Sequence, residues 1–177
     1  MHTLAEKSVA LAGNPRIAAI LRHVCDLTGM GFAAVARVTD DRWIACHVLD
    51  QIEFGLDAGE ELDLKTTICN DIRLTGQAIV FDCASADGYW RSHPTPILYG
   101  FESYLAVPIT LSDGAFFGTL CALDPAARRV DMPELVATIR TLADEIAAIL
   151  DSPDPDPDPD PDPMVPGHAR AGIASPR

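Results

Sequence analysis

Five cysteines, Cys25, Cys46, Cys69, Cys83 and Cys121, are the residues of this 177-residue chain best suited to covalent chemistry. Their number is odd and no C-x-x-C pair occurs, which indicates neither a zinc site nor a paired disulfide framework. Reduced thiols are the simpler reading and fit a cytoplasmic protein. Cys69 stands out because Lys65 and Arg73 share its stretch, and a nearby cation lowers a thiol pKa. Cys83 follows Asp82, whose charge works the other way. Cys121 lies among Leu120, Ala122 and Leu123 and reads as a buried core thiol. His93, between Ser92 and Pro94, could polarise a ligand, although a hydrogen-bonded loop histidine is the plainer account. The carboxylates show no paired spacing that singles out general acid–base work.

Positioning these groups requires a folded frame, and the sequence marks one. Asn14 and Pro15 announce a helix over 15–28, with Ile17, Ile20, Leu21, Val24 and Thr28 on one face and Gly29 as its stop. Gly31–Val38 and Trp43–Leu49 read as strands joined by a turn over 39–42. Ala33, Ala34 and Ala36 permit close approach, either by a packed helix or by a cofactor. Residues 50–64 read as a surface loop. Lys65–Leu74 then reads as a short helix, with Ile68 and Ile72 on one stripe and Cys69 and Arg73 on the next. Ala78–Phe81 is a short strand. Asp82–Gly100 is a long loop that carries Tyr89, Trp90, His93 and Tyr99, and a loop of that length in a compact domain is usually functional.

The second half is organised by Ser103–Asp124, two apolar runs around Asp113-Gly114, the signature of a β-hairpin. Pro108 removes one ladder donor, so an irregularity is expected there, and Gly118 in a strand interior marks close approach by another element. Asp131 and Glu134 have capping-box spacing, with Pro133 in the first turn. In the helix over 134–150, Leu135, Ile139, Leu142, Ile146 and Ile149 form a heptad seam widened by Val136, Ala143 and Leu150. A face this wide predicts a homodimer through this helix and the 15–28 helix.

Length and composition, 48% apolar and 22% charged, describe one ordinary globular domain. The net charge is −13, of which six Asp against two Arg after Leu150 account for −4. An acidic body without a basic cluster argues against nucleic-acid or anionic-membrane partners. No apolar run reaches membrane-spanning length and no signal-peptide core opens the chain, so a cytoplasmic location is expected. Residues 1–13 read as a leader and 152–177, with their Pro-Asp repeat, as a disordered tail.

The hairpin SYLAVPITLSDGAFFGTLCALD, together with TTICNDIR and SHPTPILYGFESYLAVPI, resembles GAF domains, the small-molecule-sensing modules of bacterial histidine kinases and cyclases. The resemblance spans residues 14–151. It implies an α/β (α+β) fold, with an antiparallel sheet of five or six strands and helices on both faces. The terminal helices would lie on one face, with the Lys65–Leu74 helix and the 82–101 loop on the other. It further implies a non-catalytic sensor that holds an unidentified small molecule near Cys69, Arg73, His93, Tyr99, Phe101 and Tyr104, with no metal and with a possible two-component signalling partner. One Arg and two Tyr hydroxyls would suit a small carboxylate or amide. Two alternatives accompany this reading. One is an enzyme like the GAF-fold free methionine-(R)-sulfoxide reductases, with Cys69 where the first pocket cysteine is expected; their G-H-I-A-C-D segment is replaced here by HPTPILYGFES. The other is a dimerisation module with a closed cavity.

Overall fold

The computed structural model describes residues 13–152, so the expected leader and tail lie almost wholly outside the described residues. In chain order the elements are α1 (Pro15–Thr28), β1 (Phe32–Val38), β2 (Trp43–Asp50), β3 (Glu61–Leu62), α2 (Cys69–Thr75) and β4 (Ile79–Phe81). They continue with α3 (Pro94–Tyr99), β5 (Ser103–Thr110), β6 (Phe116–Asp124) and α4 (Pro133–Asp151). The strands form one six-stranded sheet in the order β3-β2-β1-β6-β5-β4, with every neighbouring pair antiparallel.

Local chemistry sets the main boundaries. The Asn14 side chain accepts hydrogen bonds from the Arg16 and Ile17 N–H groups at 2.9 and 3.3 Å, and Gly29 ends α1 at φ 71°. At the β5–β6 turn Gly114 takes φ 85°, while the Asp113 carboxylate accepts from the Ala115 N–H at 2.9 Å. The ladder irregularity falls between Ile109 and Thr110, one residue beyond the position expected from Pro108, which stays in register with Thr119. Pro108 lies past the last β4 partner, Ala106, so β5 has a neighbour on one side only at that point. Gly118 is required by the sheet itself. A Cβ there would sit 1.8 Å from the Ala36 carbonyl oxygen on β1.

Three local expectations are corrected. The Lys65–Leu74 helix is broken: Leu64–Thr66 forms a 3-10 turn capped by Asp63, Thr67 is extended, and α2 begins only at Cys69. The Thr66 and Thr67 hydroxyls donate back to the Asp63 and Leu64 carbonyls at 2.7 and 2.8 Å, holding that turn apart from the helix. The 82–100 loop contains two 3-10 turns and α3, started by Pro94 in its first turn. The capping box is not formed. Helix α4 follows Met132 without a side-chain cap, and the Asp131 N–H donates instead to Asp82 Oδ1 at 2.8 Å.

Helices α1 and α4 pack on one face of the sheet, where Ile17, Leu21, Val24, Ile139 and Ile146 meet Val35, Leu105 and Leu120. Leu135, Leu142 and Ala143 of the heptad seam are buried in the same core of a single chain. The opposite face is covered by residues 51–68, α2 and the 84–101 segment, and it forms a second, more aromatic core.

Candidate functional site

Strand alternation places Trp43 and Ala45 of β2, Ala34 and Ala36 of β1, Cys121 and Leu123 of β6, and Tyr104 and Ala106 of β5 in this second core. Alanines along the middle of that face leave room for Ile68, Cys69 and Ile72 from above. Between sheet and cover a cavity of about 40 Å³ remains, enough for roughly two or three waters. Its lining is almost entirely apolar and includes Trp43, Phe54, Cys69, Tyr99, Tyr104 and Cys121.

The cover is tied down at identifiable points. The Asp50 carboxylate accepts from the Ile52, Phe54 and Gly55 N–H groups at 2.9–3.1 Å, folding a turn that carries Phe54 against Phe32 and toward Tyr99. Burial opposes ionisation of Asp50, but hydrogen bonds from the Gly55, Phe54, Ile52 and Glu53 backbone outweigh it and lower its pKa. Helix α3 is fastened to the Leu64–Thr66 turn. The Thr95 hydroxyl donates to the Thr66 carbonyl at 2.7 Å, and the Tyr99 and Thr66 hydroxyls are 2.6 Å apart. Asp87 Oδ1 accepts from the Tyr89 and Trp90 N–H groups and sets the Trp90 ring 4.6 Å from Phe81, which stacks in turn on Tyr104 and Phe101.

Cys69 is buried in this lining. The Thr119 hydroxyl donates to its sulfur at 3.2 Å and the Tyr104 hydroxyl lies 3.5 Å from it. The Trp43 indole N–H is buried and makes no hydrogen bond of normal geometry, yet it too favours the Cys69 thiolate. The hydrogen bond from Cys121 is the largest influence. With Thr119, Tyr104 and Trp43 it overcomes burial and pulls the Cys69 thiol below its ordinary value. Cys121 is pushed up by that same bond and by burial. The two thiols therefore titrate as a pair: the first proton leaves readily and the second is held. Burial raises Tyr104 well above its usual value, keeping it a neutral donor.

The expected site residues divide. Cys69, Tyr99, Phe101 and Tyr104 line the cavity, and Arg73 and His93 are not in its lining. Arg73 is half-buried and donates to Asn70 Oδ1 at 3.3 and 3.4 Å. His93 is the N-cap of α3, its Nδ1 accepting from the Thr95 N–H at 3.2 Å. The leading groups that acidify Cys69 are neutral donors, so the expected effect of Lys65 and Arg73 is replaced by hydrogen bonding. Cys83 donates to the Glu102 carboxylate at 3.2 Å, and Cys46 faces the helical core. The sequence reading missed Trp43, Thr119 and the part played by Cys121. The available signal was alternation, since Thr119, Cys121 and Leu123 stand two apart on one strand. Among the described residues, no group of three or more His, Cys, Asp and Glu could hold a metal ion, and no helix is long and apolar enough to cross a membrane.

A six-stranded antiparallel sheet between a helical layer and a cavity-bearing cover defines a mixed α/β domain. The family model of the GAF domain matches residues 15–150, and the chain belongs to that family. No curated protein matches the sequence. Among solved structures, the blue-light-absorbing PixJ GAF domain of Thermosynechococcus elongatus superposes with a TM-score of 0.60 at 12% identity, over 85% of this chain and 89% of that one. The GAF domain of a two-component sensor histidine kinase from Bacillus halodurans does so at 0.60 and 15%, over 79% and 94%. A type II free methionine-R-sulfoxide reductase from Thermoplasma acidophilum does so at 0.59 and 12%, over 84% and 95%. At these identities the likeness is one of fold.

Proposed function

We propose that the chain is a non-catalytic GAF sensor that takes a small molecule into the cavity beneath the 51–68 and 84–101 cover. The observation that carries this reading is an apolar cavity with a few placed polar groups, at the position where the cover is held by discrete, breakable hydrogen bonds. A volume of about 40 Å³ suits a molecule of very few atoms; anything larger requires the Tyr99–Thr66 and Thr95–Thr66 ties to open. The ligand is uncharged or weakly polar, because its hydrogen-bonding partners are Cys69, Tyr104 and Tyr99 and no guanidinium reaches the lining. The kinship of fold with a histidine-kinase GAF domain supports a role in a cytoplasmic two-component relay. Native mass spectrometry of the purified chain against its denatured mass tests the reading. A non-covalent adduct lost on denaturation supports it, whereas equal masses together with no thermal shift from a metabolite panel refute it.

The homodimer belongs to the same proposal. With the heptad seam consumed inside one chain, its interface would use the outward edge of α4, including Thr138 and Arg140. A sedimentation-equilibrium mass of one chain at tens of micromolar removes it. A second reading, a thiol enzyme like the methionine sulfoxide reductase, is favoured only by the cavity's two cysteines. Dithiothreitol-dependent reduction of free methionine sulfoxide is its assay.

A further inference from the structure

Two thiols meet at the floor of the cavity, one on α2 and one on the central strand β6. Cys121 donates to the Ala34 carbonyl at 3.6 Å, and Thr119, two residues earlier on the same strand, donates to the Cys69 sulfur at 3.2 Å, so α2 lies against this stretch of β6. Both cysteines are reduced and both line the cavity. The buried Trp43 indole N–H, unsatisfied by any normal hydrogen bond, lines it with them. Phe54, Leu62 and Tyr99 also belong to the lining and are only half-buried, which brings the cavity to the surface. We propose that Cys69 and Cys121 are a redox pair that hydrogen peroxide, entering this cavity in place of water, converts to a disulfide.

The chemistry balances with peroxide as the only co-reactant. The Cys69 thiolate attacks one peroxide oxygen; an S–O bond forms, the O–O bond breaks, and the departing hydroxide takes up the proton Cys69 released. The Tyr104 and Thr119 hydroxyls, already in reach of that sulfur, stand ready to hydrogen-bond the leaving oxygen. The Cys121 sulfur then displaces the sulfenic hydroxyl, which leaves as water with the Cys121 proton. In sum, two thiols and one peroxide give one disulfide and two waters. Neutral donors, rather than a cation, stabilise the attacking thiolate, and the partner that provides the largest stabilisation is also the resolving thiol. The linkage would pull α2 toward β6 and disturb the cover that closes the cavity. This inference rests on the sensor reading in making the same cavity the input site.

The test uses the full chain, reduced, freed of reductant, titrated with hydrogen peroxide, alkylated at low pH and mapped by proteolysis without reduction. The expected result is the loss of two titratable thiols and a linked peptide pair carrying Cys69 and Cys121. In Cys121→Ser, dimedone should instead trap a sulfenic acid at Cys69, and in Cys69→Ser neither product should form. Recovery of Cys69 and Cys121 as alkylated thiols, with oxidation confined to half-buried Cys83, overturns the proposal in the unmutated chain, whatever the variants do. Formation of the disulfide by methionine sulfoxide but not by peroxide also overturns it, in favour of the reductase reading. If the pair stays reduced while native mass spectrometry shows a ligand, this inference fails and the sensor reading stands. If the disulfide forms and no ligand is found, the pair stands and the small-molecule reading fails.

Discussion

The two faces of the sheet are built differently. The face under α1 and α4 is filled by branched aliphatic side chains, with Ile17, Leu21, Val24, Ile139 and Ile146 fully buried. The face under the cover is aromatic and sulfur-containing, is tied by side-chain hydrogen bonds to short turns, and keeps a cavity. Aliphatic packing on long helices gives a unique, dense core, while a patchwork of short elements leaves space and bonds that can open. One face is closed by packing and the other retains space.

The largest expected effect is on the sheet that both faces share. Gly118→Val drives a side chain into the Ala36 carbonyl and should cost about 3 kcal/mol or more, read as a lowered urea midpoint. Unchanged stability would mean the β1–β6 spacing is looser than described. Next comes the helical face, where Ile139→Ala should cost about 2–3 kcal/mol because its neighbours cannot collapse into the gap. On the cavity face, Cys121→Val should cost less than about 1 kcal/mol, since empty volume adjoins it. Equal losses at Ile139 and Cys121 in the same denaturant series would erase the contrast.

The smallest effect is electrostatic and belongs to the helical face. His47 is buried, with Nδ1 lacking a hydrogen bond; burial lowers its pKa, partly opposed by a hydrogen bond to the Asn14 backbone. Between its folded and unfolded pKa values the unfolded chain binds the extra proton, so stability rises with pH there. The contribution is complete above about pH 6.5 and is lost as pH falls toward the depressed folded value. A thermal melt series from pH 7 downward should show this slope, and His47→Leu should flatten it above the range where carboxylates titrate. A slope that survives His47→Leu would assign it elsewhere.

The helical face was legible because its signals are local. Asn14, Pro15 and Gly29 bracket α1 by capping chemistry, and an apolar period of 3.6 declares which side is buried. Asp113-Gly114 marked the hairpin in the same way. The cover was harder to read, since short turns owe their form to contacts far along the chain, as Thr95 to Thr66 shows. Cys69 is a candidate on sequence, but its lowered pKa comes from Cys121, Thr119, Tyr104 and Trp43 rather than from its neighbours Lys65 and Arg73.

By itself the sequence determined five of the six strands, all but the two-residue β3 inside the expected 50–64 loop, along with the two terminal helices and which of their faces are apolar. Those follow from periodicity and end-capping, which act over a few residues. Only the tertiary structure decided that Arg73 and His93 turn to local partners and that Cys69 meets Cys121, 52 positions later, with Thr119, Tyr104 and Trp43 around it. Strand order decided it: β6 lies between β1 and β5 at the middle of the sheet, and the side chains that alternate onto its inner face are the ones α2 is laid across.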